Sequence, residues 1–138
     1  MNSQKPHSYL DRELEKQVFL FCIEEGLFGL WELVQTVSYY EFMTLVDKYA
    51  IAYDLLKEIL VEDLAKLEEF TDSRLTNKVR DIELIDTILI LDNPRSWDLN
   101  GEPFYSLSIT SKGSSYLDNL DEAELNRLNN RLFKARQN

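Results

Sequence analysis

One histidine, one cysteine, four glycines and three prolines are spread over 138 residues, and each scarcity excludes a class of chemistry. Ser-His-Asp and Cys-His catalysis need an imidazole to move the proton, and His7 stands in the polar stretch that starts the chain. Transition-metal sites want converging His and Cys side chains, of which there is one each. The acid pairs Glu62-Asp63 and Glu68-Glu69 lack the glycine-containing spacing of a calcium loop. Gly26-x-x-Gly29 is too poor in glycine, and lacks the following lysine, to cradle a phosphate. Cys22 has no partner for an internal disulfide and sits in an apolar stretch, where a buried small thiol is expected. No two of the 25 acids are distinguished as a paired-carboxylate site. The expectation is a protein that is not an enzyme and takes no cofactor or metal.

Long apolar runs are also missing. The longest, residues 18–23, falls far short of the roughly 20 residues that span a bilayer. The first eight residues hold no apolar core followed by a small-residue cleavage site, which predicts a cytoplasmic protein without a leader. Positive charge is in deficit: 15 basic against 25 acidic residues give a net charge of −10, which repels phosphate backbones and anionic membranes at long range. The deficit is greatest in residues 38–70, with eight acids and three bases.

What the chain does have is core-forming material. Its 7 Phe, 7 Tyr and 2 Trp within a 44% hydrophobic composition are unlike a disordered chain, and the length suits one domain. Trp31 and Trp97 are read as core aromatics, with partner anchoring as the alternative. Ser8 and Asp11 precede an apolar stripe of Leu10, Leu14, Val18 and Phe21, predicting a helix that Gly26 ends. A short helix is expected over Leu30-Trp31-Glu32-Leu33-Val34, and Ser38-Tyr39-Tyr40-Glu41 has the capping-box form that would open another. Leu45, Tyr49, Ala52, Leu56 and Ile59 recur at helical spacing, for one long helix or two in succession.

Two segments stay open between helix and strand: Asp63–Thr71 and Glu83–Asp92, the latter stopped by Asn93-Pro94. Residues 93–103 read as a loop. Phe104–Thr110 alternates apolar and hydroxyl side chains and is a strand. Asp121 and Glu124 form a capping box for an amphipathic helix carrying Leu125, Leu128 and Leu132, with Arg131, Lys134 and Arg136 near its end, where cations suit the helix dipole.

The run Tyr105 to Leu117, with Thr110 and Lys112-Gly113, resembles the close of the winged-helix fold in bacterial regulators, where the second wing strand passes through Thr and Lys-Gly into a helix. Two registers join it to the rest. In the first, Ser73–Asp81 is the recognition helix and Thr87–Leu91 pairs with Phe104–Thr110 as the wing. In the second, which we prefer, residues 29–37 and the helix closing at Leu55–Leu67 take the helix-turn-helix positions, and residues 72–103 are an insertion in the wing. The second version also resembles small bacterial proteins with a Gly-Leu-Trp-Glu element, a Pro-x-x-Trp and a Thr-x-x-Gly. Gly29-Leu30-Trp31-Glu32, Pro94-Arg95-Ser96-Trp97 and Thr110-Ser111-Lys112-Gly113 match them in order.

The expected fold is therefore mainly α with a small β-hairpin, an α+β class: a winged-helix-like three-helix core, a two-stranded wing with an insertion, and a C-terminal amphipathic helix. Residues 1–8 would be a tail, 9–120 the domain, and 121–138 a helix available for homodimer formation. For function, Arg74, Asn77, Lys78 and Arg80 are the residues suited to nucleic acid, with Leu75, Val79 and Ile82 turned inward on a helix. On the preferred recognition helix the outward positions are Asp47, Asp54 and Glu58, an acidic face that would meet phosphate unfavourably and protein favourably. The leading expectation is a non-enzymatic interaction or regulatory module whose partner is another protein. The competing one is a homodimeric DNA-binding transcriptional regulator.

Overall fold

The computed structural model describes residues 10–26, 29–98 and 104–136. Among the described residues, six helices and a three-stranded antiparallel sheet make an α+β fold: α1 (Arg12–Glu25), α2 (Leu30–Val37), α3 (Leu45–Val61), β1 (Ala65–Phe70), β2 (Lys78–Asp81), α4 (Leu84–Asp92), β3 (Phe104–Ile109), α5 (Ser111–Asp118) and α6 (Glu122–Arg136). A 3-10 turn, Pro94–Trp97, follows α4. No described helix is long and apolar enough to cross a membrane.

Helix α1 starts where the Asp11 carboxylate accepts from the Leu14 amide at 3.1 Å, and it ends at Gly26. Ser8 and His7 lie outside the described residues. The sequence shows one apolar stripe, but residues 14–20 are all buried, because α1 runs through the middle of the molecule against α2, α3, β3, α5 and α6. Phe19 and Leu20 are wholly enclosed, each stabilising the fold by about 1.5–3 kcal/mol relative to exposure. Glu15, Lys16 and Gln17 are buried with them.

The capping box expected at Ser38 does not open a helix. Ser38 instead ends α2, its hydroxyl donating to the Val34 carbonyl at 3.2 Å. Thr44 opens α3, accepting from the Asp47 amide at 3.1 Å. One continuous helix follows, with Ala52, Leu55, Leu56 and Ile59 fully buried. It closes in a left-handed turn at Asp63 (φ 62°), where the Leu64 amide donates to the Ile59 carbonyl and the Asp63 amide to that of Leu60. That turn delivers the chain into β1, so the open segment Asp63–Thr71 resolves as strand over Ala65–Phe70.

The sheet order is β2-β1-β3. Strand β3 pairs with β1 over six residues from Ala65↔Ile109 to Phe70↔Phe104, putting the buried Leu67 opposite Leu107. Residues 71–103 separate these two strands in sequence, and their described part holds β2, α4 and the 3-10 turn. Glu83–Asp92 is thus helical beyond Glu83, which removes the wing strand that one register placed at Thr87–Leu91. Trp97 packs inward, its indole N–H donating to the Leu91 carbonyl at 2.9 Å, while Trp31 is half-buried.

Each of the three short motifs is a local device of chain geometry. Glu32 reaches back to the Gly29 amide at 3.1 Å and so caps α2. Pro94 occupies the first turn of the 3-10 segment that seats Trp97. Thr110 ties three pieces together: its hydroxyl donates to the Asp63 carbonyl at 2.6 Å and accepts from the Gly113 amide at 3.0 Å, and its amide donates to the Leu64 carbonyl at 3.2 Å. Helix α5 consequently presses on the α3–β1 turn, and a Cβ at Gly113 would stand 1.9 Å from the Leu64 oxygen.

Candidate functional site

The four residues suited to nucleic acid do not share a helix. Arg74 and Asn77 lie in the turn between β1 and β2, whereas Lys78 and Arg80 are on β2. The turn is organised by Asp72, whose carboxylate accepts from the Asn77 amide at 3.0 Å, the Thr76 amide at 3.1 Å and the Thr76 hydroxyl. Those bonds hold the Asp72 carboxyl below its ordinary range, with the Thr76 hydroxyl the largest influence. Of the three residues expected to turn inward, only Ile82 is buried; Val79 is half exposed and Leu75 sits in the turn with φ 58°. The strand pairing also gives two of the three cations, Lys78 and Arg80, carboxylate partners. Lys78 bonds Glu68 at 2.7 Å and Asp81 at 2.5 Å, and Arg80 bonds Glu69 at 3.0 Å.

The acidic face of α3 is present at two of its three positions. Asp47 and Asp54 are exposed, seven residues or about two helical turns apart. Glu58 is engaged instead by α1, with Arg12 at 2.5 Å and Lys16 at 2.8 Å; Glu62 holds Lys16 at 2.7 Å. The Lys16 bond is the main reason the Glu58 carboxyl is held below its usual value. Burial opposes the Lys16 charge, but Glu58 and Glu62 together outweigh it and raise its pKa.

This pairing predicts a pH dependence. With Glu58 lowered from 4.5, the unfolded chain takes up the proton first on acidification. Its contribution, about 0.5–1 kcal/mol for a partly exposed pair, is complete above about pH 5 and disappears as the pH falls through the folded-state value. The stability difference between the wild type and Glu58→Gln in urea titrations should therefore be present at pH 7 and shrink as the pH falls below the ordinary carboxylate value of 4.5. At the other end Tyr40, raised from 10.0 first by burial and then by the Glu15 charge, stays neutral when the unfolded chain ionises, so stability falls above about pH 10 in both proteins.

Beside the acidic row, α3 turns a second stripe outward: Val46, Ala50 and Tyr53, spaced four and three residues apart. Tyr49, Ala50 and Tyr53 form one wall of a groove of about 470 Å³, and Leu91, Asp92, Pro94 and Trp97 form the other. The walls are tied by the Tyr53 hydroxyl, which donates to Asp92 at 2.6 Å and has its pKa raised chiefly by that bond. Tyr49 meets the Trp97 ring edge-on at 6.2 Å. Helix α4 continues the surface with Ile85 at 76% and Leu89 at 68% exposure, on the face opposite the buried Thr87 and Leu91.

Sequence reasoning missed the one ion pair that is fully buried on both sides among the described residues. Arg131 of α6 grips Glu15 of α1 with two parallel bonds of 2.8 and 2.9 Å and donates a third to the Thr36 carbonyl at 3.0 Å. The Tyr40 hydroxyl donates to the same carboxylate at 2.7 Å, and the guanidinium lies 3.9 Å from the Tyr39 ring centre. The available signal was position: Arg131 follows Leu128 by three residues and so shares its inward face. Every charge here has its partner, so the cluster is a clamp for α6 and offers no reactive group.

Chemistry is equally sparse elsewhere. Burial raises the Cys22 thiol to about 11, leaving it protonated at neutral pH. Among the described residues, no group of three or more His, Cys, Asp or Glu side chains converges to hold a metal. No family model matches the chain, and neither the curated proteins nor the solved structures gave a similar one.

Proposed function

We propose that this chain is a non-enzymatic protein-interaction module on a winged-helix-like plan, with the outward side of α3 as its contact face. The element order supports the plan: three helices, then β1 and β3 as wing strands with residues 71–103 inserted between them, then α5. A homodimer through α6 would rest on Leu125 and Phe133, since Leu128 and Arg131 of that helix are used within the chain.

The observation that carries the reading is the electrostatics of the two surfaces that would read DNA. Where a recognition helix presents cations, α3 presents Asp47 and Asp54, and Lys78 and Arg80 on β2 are already held by carboxylates. Binding to a duplex would have to break those pairs against a net charge of −10. Anisotropy titration with a duplex of about 25 base pairs near 50 mM salt, where phosphate contacts are strongest, should show no saturable binding below about 100 μM. Tighter, salt-sensitive binding that is lost in Arg74→Ala/Lys78→Ala would replace this reading with that of a DNA-binding regulator.

A further inference from the structure

We infer that the cavity between α6 and the start of α1 holds an extended, acidic segment of a partner protein, with two carboxylates spaced three residues apart. The inference rests on the interaction reading above and adds to α3 a second contact face, of opposite charge. The cavity, about 730 Å³, is lined on one side by Asn126, Arg127, Asn130, Arg131 and Lys134, which helical spacing brings to one flank of α6. Asp11, Leu14, Tyr39 and Tyr40 line the other side.

Charge and hydrogen-bonding capacity select the occupant. Residues 125–138 hold four bases and no acid, in a chain whose net charge is −10. Arg131 is engaged by Glu15 and the Thr36 carbonyl, which leaves Arg127 and Lys134. Arg127 stands 3.6 Å from Asp11, too far for a hydrogen bond, and Asp11 already accepts from the Leu14 amide. Asp11 is also the one acid lining the cavity among the described residues. Lys134 and the side-chain amides of Asn126 and Asn130 are exposed, with no hydrogen bond or ion pair among the described residues. A primary amide offers a donor and an acceptor together, as a peptide unit does, so Asn126 and Asn130, one turn apart, suit a main chain. Seven residues of helix set Arg127 and Lys134 about 10 Å apart along the axis. A peptide in the polyproline II form returns a side chain to the same face every three residues, about 9 Å. Glu-x-x-Glu therefore meets both cations while the backbone between its carboxylates crosses the asparagines. A basic segment would meet Arg127 and Lys134 unfavourably, and an apolar one would leave both amides without partners.

The test is calorimetric titration of the full chain with a capped peptide of about 12 residues, proline and alanine around a central Glu-x-x-Glu, and with its Gln-x-x-Gln and Lys-x-x-Lys counterparts. Saturable one-to-one binding of the glutamate peptide near about 100 μM is expected, and none of the other two. Arg127→Gln/Lys134→Gln should weaken it at least tenfold and Asn126→Leu/Asn130→Leu at least threefold, with thermal melts confirming that both variants fold. Arg74→Gln/Lys112→Gln removes the same charge from exposed positions elsewhere and should leave binding within about twofold, which separates the site from bulk attraction. Equal weakening by that control, binding of the glutamine or lysine peptide, or no binding of the glutamate peptide overturns the inference. So does a concentration-dependent dimer abolished by Arg127→Gln/Lys134→Gln, which would give the face to a second copy. These outcomes leave the interaction reading standing. Only a duplex bound through Arg127 and Lys134 would overturn the two together, by making the cavity a phosphate site.

Discussion

Gly113→Ala should destabilise the fold by about 3–5 kcal/mol, lowering the thermal midpoint by roughly 10–20 °C, the largest effect expected of adding a single methyl group. The methyl would sit 1.9 Å from the Leu64 oxygen and 2.7 Å from Ile109 Cγ1. Carbonyl and strand would have to withdraw, because the oxygen belongs to the backbone and already accepts from the Thr110 amide at 3.2 Å. Moving it opens the end of the β1–β3 ladder next to Ala65↔Ile109 and loosens the Thr110 hydroxyl from Asp63. Gly26→Ala is the internal comparison: that glycine is extended, no atom lies within 4 Å of its Cβ position, and its replacement should change stability by no more than about 0.5 kcal/mol. Paired thermal melts check both, and equal stability of the two variants would refute the close approach of α5 to the α3–β1 turn.

The second large effect is expected at the α1–α6 clamp. Arg131→Met removes the guanidinium and leaves Glu15, at 0% exposure, with only the Tyr40 hydroxyl. Stranding a buried carboxylate costs about 3–5 kcal/mol. Removing both charges in Glu15→Leu/Arg131→Met should recover most of that loss, since apolar replacements of a buried pair are often neutral. Tyr40→Phe should cost about 1.5–3 kcal/mol, the range for a hydrogen bond to a charged group. Urea denaturation of the single and double variants yields the coupling directly. A loss below about 1 kcal/mol in Arg131→Met would mean that α6 is not held by this pair.

The elements that the sequence announces are those decided by near neighbours. The Asp11 cap, the Gly29-to-Glu32 capping of α2, the alternation of β3 and the reciprocal Asp121–Glu124 bonds of 2.8 and 3.0 Å all act within a few residues. What misled depends on distant partners. Ser38 has every local mark of a helix start, yet its hydroxyl is used to finish α2. The end of α3 carries no glycine because Asp63 takes the left-handed position. Arg74, Leu75 and Lys78 fit a helical pattern that Asp72 overrides by gathering the Thr76 and Asn77 amides into a turn. The acidic positions Asp47 and Asp54 were legible because helix α3 was, whereas Glu58 is drawn off by Arg12 and Lys16 of α1, 46 residues away from Arg12 in sequence. The groove itself was invisible: it needs Tyr53 beside Asp92, which no periodicity brings together.

The clamp also sets a timetable for synthesis. Glu15 and Arg131 are 116 residues apart, so at about 5–20 residues per second the carboxylate leaves the ribosome's active centre roughly 6–23 s ahead of its guanidinium. Through that interval α1 can gather its apolar neighbours but cannot seal its charged side, and the nascent domain must wait for its last helix before it closes.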